Sequence, residues 1–330
     1  MEKRLQGCPE TAKSFRTGQG KVERRFAPSY YFGSMTVTRR SLLKAAILSP
    51  LAPVAGHAVN PPNAKRGTLK TSLNAFSFNK QLLDGSMSLT DMFAFCAEKG
   101  FSAVDITAYY FPGYPNVPPD RFLYDTKMSA FRAGLDISGT GVRNDFTEPD
   151  ANKRRQSVLL VKAWIEAAGK IGAPVIRIFS GTQSPPGYTR QQIFDWMLAD
   201  IRECVNYGKS HGVVVGIQNH NDFIATADQA IEILDRIDSP WFGLILDTGS
   251  YRTGDAYDEI HKTAAYAVNW QVKEKLFVAG EEVEADISRI VSIIQESGYK
   301  GYLPIETLGE GDPKQKISAL LDKLNTALGC

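Results

Sequence analysis

Four apolar segments in the second half of the chain each end in a side chain whose oxygen atom could bind a cation. These side chains are Gln218, Asp247, Gln271 and Glu306. If they met at one point, two carboxylates and two amide oxygens would suit a hard divalent ion such as Mn²⁺ or Mg²⁺. Any one of them could instead be a loop cap or a solvated side chain. Their recurrence at four segment ends nevertheless predicts one shared metal site.

His220 and Lys273 each stand two residues beyond one of the two amides, so each would share its face of an extended strand. Imidazole titrates near neutral pH. A lysine could hold a developing enolate oxygen, or act as a base if burial lowered its pKa. We predict Glu306 as the catalytic base, with Lys273 or His220 in a second proton transfer. A hydrogen-bonded loop histidine and an ion pair between Lys273 and a nearby glutamate are the structural alternatives.

A second group of side chains is predicted to bind the substrate. Arg177 lies inside an otherwise apolar segment, and because a buried guanidinium is costly without a partner, it should face a carboxylate or a substrate hydroxyl. Alternatively, Arg177 could pair with Asp105 in a purely structural ion pair. Arg143 and Arg252 are loop candidates for an anionic or hydroxyl-rich ligand, and aromatic rings could stack on the C–H faces of a sugar. The predicted substrate-binding residues are Arg177, Asn219, Trp270, Arg252 and Tyr109.

The elements that must position these residues alternate between strands and helices. Strands are predicted at 69–77, 103–109, 136–142, 175–180, 213–219, 242–247, 267–273 and 301–307. Helices are predicted near 89–99, 120–133, 151–171, 189–211, 225–237, 255–265, 282–297 and 313–327. Eight such units predict a single (β/α)₈ TIM barrel, whose chemistry sits where the strands end. The alternative, a doubly wound sheet, would normally bring a glycine-rich phosphate turn after its first strand, and residues 69–80 contain none.

The composition and the charge distribution exclude several classes of protein. With 43% hydrophobic and 22% charged residues, the 330-residue chain is neither disordered nor collagen-like. The net positive charge belongs to residues 1–58, which carry ten Lys or Arg and three Asp or Glu. The remaining residues are mildly acidic, which argues against nucleic acid as a partner. The cysteines show neither metal-binding spacing nor a disulfide framework: Cys8, Cys96, Cys204 and Cys330.

The first 58 residues are predicted to form a leader. An arginine pair, Arg39 and Arg40, precedes a short apolar run and a small-residue cleavage site, which together are typical of a twin-arginine (Tat) export signal. The alternative, an amphipathic helix, would be broken by Pro50 and Pro53. Residues 1–34 look like an over-extended start, and 59–330 is predicted to be the barrel. We expect a periplasmic or secreted protein without stable membrane insertion.

The predicted strand ends resemble those of the sugar phosphate isomerase/epimerase superfamily, the xylose isomerase-like TIM barrels. The resemblance covers roughly residues 65–327 and is strongest at 216–220, 243–249, 270–274 and 301–306. It implies that a Glu, an Asp, a His and a Glu from four strands hold one divalent metal. Asp247 and Glu306 match this pattern, whereas Gln218 stands where a Glu is usual and Gln271 where a His is usual. The resemblance therefore implies a metal site of altered composition.

These departures shape the functional expectation. An amide cannot accept a proton at neutral pH, so Gln218 removes one member of the usual acid–base pair. We expect a sugar or keto-sugar isomerase or epimerase that uses one divalent ion, Mn²⁺ or Mg²⁺, and an enediolate. A sugar lyase or dehydratase and a non-catalytic carbohydrate-binding barrel are the alternatives, and a homo-oligomer is left open. A zinc endonuclease is disfavoured because few histidines are available.

Overall fold

The computed structural model describes residues 69–182, 184–220 and 222–329. The predicted leader, and with it the export signal, lies outside these residues. No helix among the described residues is long and apolar enough to cross a membrane.

Eight parallel strands close into a barrel. They are β1 (Lys70–Asn74), β2 (Ala103–Thr107), β3 (Asp136–Gly141), β4 (Val175–Ile178), β5 (Val214–Gln218), β6 (Phe242–Asp247), β7 (Ala267–Lys273) and β10 (Tyr302–Glu306). Strands β1 to β7 are neighbours in sequence order, and β10 pairs with both β7 and β1. The prediction of a single (β/α)₈ TIM barrel is confirmed.

The strands are connected largely by helices. They are α1 (Asn79–Leu83), α2 (Leu89–Glu98), α3 (Asp120–Arg132), α4 (Ala151–Ile171), α5 (Arg190–Ser210), α6 (Ala227–Ile237), α7 (Ala256–Thr263), α8 (Ile287–Glu296) and α9 (Pro313–Leu328). The side chains of Ser88 and Thr189 cap α2 and α5, each within a reciprocal capping box. Gly172 ends α4 in the left-handed conformation, with φ of 84°.

The predicted helix at 282–297 is partly wrong. Helix α8 begins only at Ile287, and the preceding residues form an antiparallel hairpin of β8 (Lys275–Val278) and β9 (Glu281–Glu284). Ala279 and Gly280 both have positive φ, which turns the chain back on itself. Local propensity favours helix for a glutamate-rich segment, but cross-strand pairing with β8 overrides it.

Polar side chains fill part of the barrel interior below the strand ends. The hydroxyl oxygens of Ser72 and Ser138 lie 2.8 Å apart. Asn269 Nδ2 donates to Asp105 Oδ2 over 3.1 Å. The Asp105 carboxylate occupies the space beside Gly139, where a Cβ atom would lie 2.6 Å from Oδ2. The apolar residues of strands and helices surround this polar interior and fix the strand ends above it.

Candidate active site

The carboxyl ends of four neighbouring barrel strands bring the predicted polar residues together. Asp247 pairs with Gln271 in the β6–β7 register, and Glu306 pairs with Lys273 in the β10–β7 register. Gln218 is the last residue of β5, which is the other neighbour of β6. All five side chains are at most 12% exposed. They form a buried polar cluster at one mouth of the barrel.

Lys273 lies between the two carboxylates of this cluster. Its Nζ atom is 2.6 Å from Glu306 Oε1 and 3.3 Å from Asp247 Oδ2. Burial by itself lowers the pKa of Lys273, but the negative charges of Asp247 and Glu306 outweigh it and raise the pKa above its ordinary value. Lys273 is therefore an ammonium ion at neutral pH. Of the two roles predicted for it, the structure favours the one that stabilises negative charge over the one that accepts a proton.

Gln218 directs its amide nitrogen, not its oxygen, at its neighbours. Nε2 donates to Asp247 Oδ2 over 2.8 Å and to Gln271 Oε1 over 2.7 Å. The other carboxylate oxygen of Asp247 accepts a hydrogen bond from the backbone N–H of Gly249 over 3.0 Å. The Asp247 carboxylate is thus surrounded by hydrogen-bond donors.

The residues present do not fit a resident divalent metal. A divalent ion needs anionic oxygens that are free to coordinate it, yet the ammonium of Lys273 already lies between Asp247 and Glu306. The Gln218 amide offers N–H groups where a ligand oxygen would be needed. Over the described ranges no group of three or more His, Cys, Asp or Glu could hold a metal. The predicted metal site of Gln218, Asp247, Gln271 and Glu306 is therefore corrected to a lysine-centred cluster.

Arg177 enters the same mouth from β4. Gly141, its register partner on β3, leaves room for it, because a Cβ atom at position 141 would lie 2.6 Å from Nε of the arginine. Its Nη2 donates to Tyr109 Oη over 2.7 Å, and its guanidinium carbon lies 4.1 Å from the ring centroid of Phe179. Asp105, predicted as its structural partner, contributes a favourable charge interaction, but Arg177 makes its hydrogen bond to Tyr109.

A small cavity opens above the cluster, with a volume of about 60 Å³. Its lining residues are Asn74, Phe76, Thr107, Tyr109, Arg143, Arg177, Phe179, Gln218, His220, Gln271, Lys273 and Glu306. Sequence analysis did not assign a role to Asn74, Thr107 or Phe179. Asn74 and Thr107 are the last residues of β1 and β2, and Phe179 directly follows β4. The rule that barrel chemistry follows strand ends could have found them.

His220 lies at the rim of this cavity. Its ring centroid is 4.7 Å from that of Phe179, and its Nδ1 is 3.8 Å from Asp222 Oδ2. Partial desolvation lowers the pKa of His220 to about 4 although its side chain is 53% exposed; the charge of Asp247 opposes the change and that of Arg177 reinforces it. The imidazole is therefore neutral at pH 7 and could accept a proton.

Comparison with known protein families shows which family this barrel belongs to. A model of the family described as xylose isomerase-like TIM barrel matches residues 93–327. The chain belongs to this family. A search of curated proteins found no match.

Solved structures share the fold at low sequence identity. D-psicose 3-epimerase from Clostridium cellulolyticum, solved with D-tagatose, is 16% identical, with a TM-score of 0.66 over 79% of this chain and 100% of that one. A 3-keto-D-glucoside 4-epimerase from E. coli is 14% identical, with a TM-score of 0.59 over 80% and 99% of the two chains. A xylose isomerase domain protein from Planctomyces limnophilus is 14% identical, with a TM-score of 0.62 over 80% and 100%.

Three residues that were predicted to bind substrate lie elsewhere in this xylose isomerase-like barrel. Asn219 is buried, and its side chain exchanges two hydrogen bonds of 2.9 Å with the backbone of Asp247. Trp270 is fully buried, with its ring centroid 6.1 Å from that of Tyr299. Arg252 stacks over Phe277 of the hairpin, 5.1 Å from its ring centroid. None of the three lines the cavity, so their positions give no support to a substrate-binding role.

The positions of Trp270 and Asn219 away from the cavity have different physical reasons. Trp270 alternates with the inward-facing Asn269 and Gln271, so the two-residue period of a strand turns it to the outside. Asn219 follows the end of β5 and holds β6 in place rather than reaching the mouth. Its role is to position the Asp247 backbone.

Asp105 should make the stability of this family member depend on pH. Burial raises the pKa of Asp105 to about 6, although the charge of Arg177 opposes the rise, against about 3.9 in an unfolded chain. The folded state therefore binds the proton more tightly, so this carboxyl lowers stability progressively as the pH rises from about 4 to about 6. Asp105→Asn should raise the free energy of unfolding by up to about 3 kcal/mol at pH 8 and have little effect at pH 4.

Urea unfolding at the two pH values would measure this difference. The matched control is Asp125→Asn, which changes an exposed aspartate of α3 and should leave both values within about 0.5 kcal/mol of the parent chain. Equal effects of Asp105→Asn at pH 4 and pH 8 would contradict the prediction.

Proposed function

We propose that this barrel is a sugar or keto-sugar isomerase or epimerase that removes a proton next to a carbonyl group. The observation that carries the proposal is the contact between a carboxylate and an ammonium ion at the cavity, Glu306 and Lys273, 2.6 Å apart. Such a pair supplies a base and a positive charge at adjacent positions. The family match and the epimerases among the structures of similar fold support a carbohydrate as the substrate.

In the proposed reaction the substrate carbonyl oxygen lies against the Lys273 ammonium. Glu306 removes the proton from the neighbouring carbon, and the negative charge that develops on the enediolate oxygen is stabilised by Lys273. Asp247 keeps the ammonium in place and protonated. The step requires no metal ion, in keeping with a donor set that does not fit one.

The proton must then return to carbon. Glu306 can deliver it to the former carbonyl carbon on the same face while the proton of the neighbouring hydroxyl passes to the former carbonyl oxygen, which gives an isomer. Return to the other face, which gives an epimer, needs a second group that carries a proton, and His220 at the cavity rim is our candidate. It would take up a proton from solvent and pass it to carbon, while Glu306 releases the proton it removed to solvent. Gln218 cannot serve because an amide does not accept a proton at neutral pH.

Elimination is the second candidate function. Glu306 is the one carboxylate among the described residues that line the cavity. A single base is sufficient to form the enediolate, which could then expel a leaving group from the next carbon. A lyase or dehydratase would therefore need fewer groups than an epimerase.

Deuterium oxide separates these outcomes. The purified protein would be incubated in it with D-fructose, D-tagatose and D-psicose, and the products examined by NMR and mass spectrometry. Isomerisation or epimerisation places solvent deuterium on carbon while the sugar keeps all its oxygens. Elimination removes the mass of water, which would favour the second candidate. Binding of these sugars without any exchange would reject the proposed activity and favour a binding protein.

We also propose that the protein is exported by the Tat route and acts in the periplasm or outside the cell. The support is the arginine pair and the apolar run that follows it in the sequence. Replacing Arg39 and Arg40 together by lysine should leave the full-length protein in the cytoplasm. Fractionation and immunoblotting would measure this, with Arg24 and Arg25 replaced in the same way as the control. Unchanged export of the Arg39/Arg40 variant would refute the route.

A further inference from the structure

Arg177 keeps one guanidinium nitrogen without a hydrogen-bond partner at the barrel mouth. The residue is 7% exposed, and its Nη1 atom is buried with no acceptor in the part of the chain that the structure describes. Nη2, by contrast, donates to Tyr109 Oη. Buried donors are nearly always paired, and an unpaired charged donor is costly. An acceptor brought by a ligand would complete the arrangement.

A second guanidinium lies near the same tyrosine ring. Arg143 lies with its guanidinium carbon 5.3 Å from the ring centroid of Tyr109, and that of Arg177 is 5.6 Å from the same ring. Both arginines line the cavity that contains Lys273 and Glu306. Two positive charges near Tyr109 therefore line the candidate active site.

Neither arginine has a counter-ion at contact distance. Among the described residues no carboxylate lies within 4.0 Å of either guanidinium. The nearby carboxylates of Glu306 and Asp247 are engaged by Lys273, at 2.6 Å and 3.3 Å. Arg143 and Arg177 thus bring positive charge to the cavity without a contact ion pair, and the more distant Asp105 carboxylate opposes the charge of Arg177.

We propose that Arg177 and Arg143 bind a carboxylate group of the substrate, which makes the substrate a sugar acid. The inference rests on the proposed function, because it takes the rest of the ligand to be a carbohydrate. A guanidinium matches a planar carboxylate through parallel hydrogen bonds, and a phosphate ester, which arginine also binds, is an outcome that the test below separates. A neutral hydroxyl could satisfy Nη1 but would leave the positive charge without a contact ion pair.

Isothermal titration with three sugars that differ only at carbon six tests this assignment. D-glucuronate carries a carboxylate there, D-glucose a hydroxymethyl group and D-glucose 6-phosphate a phosphate ester. The parent protein should bind glucuronate at least about tenfold more tightly than either other sugar. Equal affinities, no measurable glucuronate binding, or tighter binding of the phosphate would each overturn the proposal.

Variants of the two arginines test whether they cause the preference for glucuronate. Arg177→Met and Arg143→Met should each reduce the preference for glucuronate over glucose at least about fivefold, and the exposed Arg143 allows a test with little risk to folding. Arg190→Met is the matched control, because its guanidinium stacks on Phe223 outside the cavity, and it should keep the preference. Retention of the full preference in both cavity variants would overturn the subsite.

The titration is independent of turnover, so the two proposals can fail separately. A glucuronate preference without deuterium incorporation into any substrate would reject the isomerase and keep the subsite. Deuterium incorporation into neutral sugars together with equal binding of the three probes would reject the subsite alone.

Discussion

Replacement of Glu306 by glutamine should lower solvent-deuterium incorporation into substrate by about 100- to 10,000-fold. Glutamine has nearly the same shape but cannot accept a proton, so the variant removes the base together with one of the two negative charges beside Lys273. Lys273 keeps its second carboxylate, Asp247, at 3.3 Å and stays protonated. The initial rate of incorporation, followed by proton NMR at pH 7.5, is the measurement.

Glu310→Gln is the matched control for this experiment. Glu310 is exposed in the loop after β10, four residues beyond Glu306, and its replacement should leave the rate unchanged. Thermal melting of both variants would show that the fold is retained. A missing general base should leave about one hundredth of the parent rate or less. If Glu306→Gln kept more than about one tenth of that rate, Glu306 would not be the base.

Lys273→Met should destabilise the protein by about 3–5 kcal/mol at pH 8. The variant leaves Asp247 and Glu306 buried and close together without the ammonium that lies between them. Adding Glu306→Gln to it should recover part of the loss, because one of the two uncompensated charges is removed. Urea unfolding of the single and double variants gives the free energies of unfolding.

The same variant tests whether the ammonium takes the place of a metal. Millimolar Mn²⁺ should raise the melting temperature of Lys273→Met, in which the carboxylates are free, and leave the parent protein unchanged. Lys275→Met, at an exposed position of β8, is the control for loss of a lysine and should cost less than about 1 kcal/mol. Stoichiometric Mn²⁺ binding by the parent protein would show that a divalent ion can displace Lys273, contrary to our conclusion.

The sequence was sufficient to predict the barrel and the end of the barrel at which the candidate site lies. Strands that alternate with helices define the topology, and parallel strands end at the same edge. Gln218, Asp247, Gln271 and Glu306 could therefore be found from their positions at four strand ends. Both predictions follow from the alternation of strand and helix patterns, which can be seen in a single sequence.

Atomic contacts within the cluster could not be predicted in the same way. The two-residue period places Lys273 on the face of Gln271 but does not show that its Nζ reaches between two carboxylates of other strands. Nor does it show that Gln218 turns its nitrogen towards Asp247. The β8–β9 hairpin depends on pairing between segments, which outweighs the local helix propensity of its glutamates.

The lysine-centred cluster has a consequence for how the protein becomes functional. A metal ion is bound from solution, so its presence depends on the free metal concentration and on competing ligands. The charge of Lys273 is instead covalently part of the polypeptide. Its occupancy of the position between Asp247 and Glu306 follows from folding alone. Chelators should therefore leave the protein intact, and maturation should need no loading step, at the cost of offering an anionic intermediate one positive charge instead of two.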